Sequence, residues 1–86
     1  MTPQAAQTIA LNALGHLAES PEEFGRFLSN AGLDPAQLRR RAAEPEFLAA
    51  VMDFYLANES LLTAFAQAQS LDPRTIALVR RALPGG

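Results

Sequence analysis

The sequence predicts an all-α protein, a compact bundle of about six short-to-medium helices. Three observations carry this prediction. Five of the six prolines follow a residue able to cap a helix, at Thr2-Pro3, Ser20-Pro21, Asp34-Pro35, Glu44-Pro45 and Asp72-Pro73. Proline suits the first helical position because it has no N–H to satisfy and its φ is already helical. Alanine supplies 17 of the 86 residues while Ile, Val and Thr together supply eight, a composition that favours helix over strand. No apolar–polar alternation of period two persists along the chain, so nothing reads as a strand.

The first helix opens at Thr2-Pro3. Placing residues 100° apart puts Ala6, Ala10, Ala13, Leu14 and Leu17 on one face, with Asn12, His16 and Glu19 opposite. The second starts at Ser20, where Ser20-Pro21-Glu22-Glu23 has the pattern of a capping box. It carries a narrow stripe of Phe24, Phe27 and Leu28 and ends at Gly32, with Leu33 placed for the hydrophobic contact that accompanies such an end. Asp34 starts the third, with Gln37 able to reach back in a looser box. The fourth follows Glu44-Pro45, and its Phe47, Leu48, Val51, Met52, Phe54, Tyr55 and Leu56 spread over about 200° of the circumference. Ala49, Ala50, Asp53 and Ala57 fill the remaining sector. A helix packed from one side needs a stripe of only about 100°, so the fourth is either the central helix or in part meets another chain. Asn58 is placed to cap a fifth helix over Glu59–Gln69, and Asp72-Pro73 starts a sixth that Pro84-Gly85-Gly86 ends.

An offset of 38 lays Leu33-Asp34-Pro35 over Leu71-Asp72-Pro73, Phe27 over Phe65 and Leu38 over Ile76. The same offset lays the first helix over the fourth, which is what two weakly related three-helix units would give. Shared capping chemistry accounts for most of the match equally well, because Leu-Asp-Pro is a good helix start wherever it occurs.

Composition bounds the function classes. A chain of this length is one domain, residues 1–86. Leu, Ile, Val and Phe number 22 of 86, above the roughly 20% below which chains tend to stay disordered, so it folds around a thin core. The absence of Cys excludes a disulfide scaffold and a thiolate zinc site. Seven Arg, no Lys and nine acids leave a net charge of −2, which argues against nucleic-acid or membrane-surface binding by bulk charge. Met1–Gly15 has no basic residue, unlike a signal peptide, and the apolar run from Phe47 to Ala57 is broken by Asp53 and too short for a membrane span. A soluble, cytoplasmic protein is expected.

Candidate chemistry is sparse. His16 is the only histidine, and no nucleophile elbow or glycine-rich phosphate loop accompanies it. His16 and Glu19 could reach one metal ion, but a structural zinc takes four ligands and a catalytic one three plus water. No catalytic residue, cofactor or metal is therefore assigned, and the chain is expected not to be an enzyme. Asp53 reads as a partly exposed acid paired with an Arg. Arg39, Arg40 and Arg41, echoed by Arg80-Arg81, offer either a grip on phosphate or an acidic partner, or simply complement the negative ends of short helices. The second and third helices have the order of a helix-turn-helix, but the third is too short for a full recognition surface.

Three stretches form a family pattern: Phe24-Gly25-Arg26-Phe27-Leu28 with Gly32-Leu33-Asp34-Pro35 and Leu38-Arg39; Glu44-Pro45-Glu46-Phe47 through Asp53-Phe54; and Leu71-Asp72-Pro73 with Ala82-Leu83-Pro84-Gly85. On these residues, over nearly the whole chain, the sequence resembles the small alphaproteobacterial proteins of domain-of-unknown-function family 3572. That resemblance implies a compact helical bacterial protein and supplies no functional residues. The function expected by elimination is a non-enzymatic protein–protein interaction module. Its partner would be an unknown protein or a second copy, engaged through Phe54, Tyr55 and Leu56 with Arg39, Arg40 and Arg41 at the rim. The alternative is a small DNA-associated regulator using Arg39–Arg41.

Overall fold

A computed structural model describes residues 1–42 and 44–84. These described residues form six helices: α1 (Pro3–Ala18), α2 (Pro21–Ala31), α3 (Pro35–Arg41), α4 (Pro45–Leu56), α5 (Glu59–Ala68) and α6 (Arg74–Arg81). No strand occurs among the described residues. Gly85 and Gly86, expected to help end the last helix, lie outside them.

Local chemistry sets most boundaries. The Thr2 hydroxyl accepts from the Ala5 N–H at 3.1 Å. At α3 the capping box is complete: Asp34 Oδ1 accepts from Gln37 N–H, and Gln37 Oε1 accepts from Asp34 N–H, both at 2.9 Å. The box expected at Ser20 does not form, and Ser20 makes no side-chain cap bond. Glu23, which would have reached back, is instead held by Arg26 one turn on, at 2.9 and 3.1 Å. Asn58 occupies the N-cap position of α5 as expected, but its side chain makes no cap bond there. Its amide donates to the Phe54 carbonyl at 2.7 Å, satisfying an orphan acceptor at the end of α4.

Two helices end alike. Gly32 adopts the left-handed conformation (φ 68°) and the Leu33 N–H returns to the Leu28 carbonyl at 2.9 Å, the Schellman arrangement that glycine allows without steric cost. At the end of α5, Ser70 takes the same conformation (φ 56°), and Leu71 N–H returns to Ala66 at 2.8 Å.

α4 is the central helix. It packs against α1, α2, α5 and α6 and buries Phe47, Leu48, Ala49, Val51, Met52, Phe54 and Tyr55. Its wide apolar circumference, Leu56 apart, is thus consumed inside the molecule, and Ala49, expected in the outer sector, belongs to the core. α1 packs against α4, α2 and α6 and buries Ala6, Ala10, Ala13 and Leu17, the three alanines allowing close approach of neighbouring helices. Phe27 of α2, Phe65 of α5, and Ile76 and Val79 of α6 complete one core cluster with Leu83. α3 buries no residue and is held by the half-buried Leu33 and Leu38 that pack against that cluster. No described helix is long and apolar enough to cross a membrane.

Candidate functional site

The expected interaction surface on α4 divides. Phe54 and Tyr55 are interior side chains, 8% and 0% exposed, while Leu56 is 41% exposed. Phe54 meets the Phe27 ring edge-on at 5.5 Å, and Phe27 meets Phe47 in the same way at 5.6 Å, favourable arrangements for aromatic pairs. Phe54 and Tyr55 therefore serve as core anchors rather than partner anchors. Sequence periodicity could not separate the two roles because both demand the same broad apolar face.

Tyr55 organises a polar constellation that reaches the core. Its hydroxyl donates to the Ala13 carbonyl at 2.8 Å, and His16 Nδ1 lies 2.7 Å from the Tyr55 hydroxyl oxygen. A phenol has a single proton. With that proton committed to Ala13, the hydrogen shared with His16 comes from the imidazole, so His16 Nδ1 is the donor to the Tyr55 oxygen. The imidazole also packs against the Phe65 ring at 5.4 Å. His16 was expected on the polar side of α1. It is half-buried there, because α5 brings Phe65 over its ring. Burial, and secondarily the negative charge of Glu19, push the Tyr55 hydroxyl well above its ordinary pKa, so it stays a neutral donor.

Beside His16 a groove of about 420 Å³ runs between α1 and the end of α5, lined by Leu11, Asn12, Gly15, Glu19 and Gln69 among others. The Asn12 amide donates to Gln69 Oε1 across it at 3.2 Å. Among the described residues no group of three or more His, Cys, Asp or Glu could hold a metal ion.

Asp53 pairs with Arg80 at 2.7 Å, joining α4 to α6. Arg39, Arg40 and Arg41 are all exposed on the last turn of α3, and Arg41 approaches Glu44 at 3.7 Å. The structure does not bring these arginines together with Phe54 or Tyr55, since those two rings face inward.

A family model described as "Protein of unknown function (DUF3572)" matches residues 3–86, which takes in all six helices. The chain belongs to this family. No curated protein and no solved structure matches it.

One feature of this family member went unnoticed in the sequence although its signal was present. Residues 1–18 contain no Asp, Glu, Lys or Arg, so all 16 such residues fall after them. Only the structure reveals where this matters: Gln4, Ala5, Thr8, Leu11, Asn12, Gly15 and Ala18 of α1 are exposed. An exposed helical face ordinarily carries charge. This one is uncharged and presents Leu11 at 46% exposure.

Proposed function

We propose that the protein is a non-enzymatic helical interaction module whose contact surface is the outer face of α1. The observation that carries this is the uncharged exposed face with Leu11 at its centre. Depletion of charge around an apolar anchor is the compositional mark of an interface core. Leu11→Glu tests it, because the substitution sits on the exposed side, opposite Ala6, Ala10 and Ala13, and leaves the core intact. The variant is expected to keep its Tm within about 2 °C, as surface changes do, while losing every association the wild-type chain shows in sedimentation and pull-down measurements. Associations unchanged by Leu11→Glu would refute the proposal.

A second reading has one observation in its favour: among the described residues Arg39 and Arg40 make no ion pair and are exposed. As a DNA-associated regulator the chain would bind duplex in a manner that weakens steeply with salt. Replacing Arg39, Arg40 and Arg41 together by Ala would abolish that binding. Binding that ignores salt, or survives the triple replacement, would dismiss it.

A further inference from the structure

We infer that α3 opens on its own while the other five helices stay folded, and that this makes Arg39-Arg40-Arg41 the site at which an arginine-specific protease cuts the native chain. The inference goes beyond the proposed function and uses no contact made by α1.

α3 is held together from within rather than by its neighbours. It starts with Pro35 at the first turn and the complete Asp34–Gln37 box. It ends with three arginines against the negative end of the helix. Tertiary support is thin by comparison. α3 buries no residue, no other helix packs extensively against it, and the half-buried Leu33 and Leu38 tie it to the core cluster. The ion pair of Arg41 with Glu44, at 3.7 Å, joins two exposed side chains and adds little.

Local chemistry does not hold such a helix once it leaves the core. Seven residues fall well short of the roughly 12–15 at which an isolated helix is even marginal in water. When Leu38 lifts away, α3 therefore melts instead of persisting as a free helix. Segments with few buried apolar contacts open at a fraction of the global unfolding free energy. The bonds that close α2 run from Gly32 and Leu33, both ahead of α3, so α2 keeps them when α3 opens.

Comparison of the arginines selects the cleavage site. The chain has seven arginines and no lysine, so a protease of trypsin's specificity has these bonds to choose from. A bond inside a helix is cut from the opened state, and opening costs whatever core the adjacent residues hold. Freeing the chain around Arg26 withdraws Phe27, and around Arg74 it withdraws Ile76. Around Arg80 and Arg81 it withdraws Val79 and Leu83. All four of these apolar side chains are buried. Around Arg39, Arg40 and Arg41 the one large apolar side chain is Leu38, which is half-buried. Exposure of the arginine itself does not decide. The Arg74 side chain is 90% exposed, yet Ile76 two residues on is fully buried.

Cleavage is hydrolysis of the peptide bond on the carbonyl side of one arginine of α3. Water gives its hydroxyl to the new carboxyl group and its remaining hydrogen to the new amine.

Limited digestion of the full chain with trypsin, read by mass spectrometry, and native-state hydrogen exchange, read by NMR, test the inference. The first cut is expected after Arg39, Arg40 or Arg41. The Leu38 and Ala42 amides, bonded to the Asp34 and Leu38 carbonyls, are expected to be at least about a hundredfold less protected than those of α4 and α6. Their exchange should hardly respond to urea below the unfolding transition, because local opening exposes little surface. Asp34→Ala removes the cap and is expected to speed cleavage and exchange in α3 about fivefold. Ile76→Ala is expected to speed exchange in α4 at least about a hundredfold while leaving the rates in α3 within about twofold. A first cut after Arg26, Arg74, Arg80 or Arg81 overturns the inference. So do α3 amides as protected as those of α4, or ones that share the steep urea dependence of global unfolding. If Ile76→Ala does not fold, the urea dependence of the wild type decides between the two outcomes.

Discussion

α3 and α6 start from the same tripeptide, Leu33-Asp34-Pro35 and Leu71-Asp72-Pro73, and follow the same turn. Gly32 and Ser70 both adopt the left-handed conformation, and Leu33 and Leu71 return their N–H groups to carbonyls five residues back. At an offset of 38, α2 and α5 even begin at equivalent residues, Pro21 and Glu59. The outcomes nevertheless differ. α6 buries Ile76 and Val79 against the central helix and is tied to it by Asp53–Arg80, whereas α3 buries nothing. Leu38, the counterpart of Ile76, is only half-buried. Turn chemistry repeated along a chain fixes where helices start. It does not fix how much core they own, because burial depends on which neighbours the rest of the chain brings to that face.

The largest expected effect compares the two equivalent apolar positions directly. Ile76→Ala should cost about 3–4 kcal/mol, the range for truncating a fully buried aliphatic residue. Leu38→Ala should cost less, about 1–2 kcal/mol, since part of its surface remains exposed in the folded chain. Urea denaturation of both variants checks this. Equal losses would mean that α3 and α6 contribute equally to the core after all.

A smaller effect contrasts the two turns. Gly32→Ala should lose about 1 kcal/mol, because a Cβ is strained in the left-handed region. Ser70→Gly should gain about 0.5–1 kcal/mol for the same reason read in reverse. Thermal unfolding of the two variants should therefore move in opposite directions, and a destabilised Ser70→Gly would show that the Ser70 side chain contributes more than its backbone costs.

The smallest effect concerns the two caps. Gln37 completes the box at Asp34, but Asp72 instead binds the backbone N–H of Arg74 at 2.8 Å and both oxygens accept from its guanidinium. The residue equivalent to Arg74 in α3 is Ala36. These hydrogen bonds from Arg74 hold the Asp72 carboxyl down at about 2. A depressed carboxyl contributes stability that is present above its unfolded pKa, near 4, and is lost as pH falls towards 2. The contribution is small because the pair is exposed. Asp72→Asn should flatten the fall in stability between pH 4 and pH 2 in acid titrations followed by circular dichroism. A wild-type curve with the same slope as the variant would sink this assignment.

Much of the fold was legible because helix starts are local events. Proline at the first turn, Asp34 with Gln37, and Gly32 with Leu33 each act within a few residues, so sequence alone located them. The failures are equally physical. Ser20 and Asn58 look like caps, yet Glu23 found Arg26, and Asn58 found the Phe54 carbonyl, each a competing partner one turn away. The candidate site was far less legible. His16 meets Tyr55 across 39 residues of chain, and a helical wheel of α1 has no means of registering an aromatic ring delivered by α5. The uncharged run through Ala18 was visible as letters, but only exposure gives it meaning.

By itself, the sequence determined that the chain is helical, where its helices begin, and that α4 carries an apolar surface wider than one neighbour can cover. Only the tertiary structure decided that four helices close over that surface, drawing Phe54 and Tyr55 inside. It also left Leu11 and Gly15 of α1 facing outwards. Propensity and capping act over one turn of chain, whereas burial is the sum of what distant segments contribute to a face, and that sum exists only once the chain has folded.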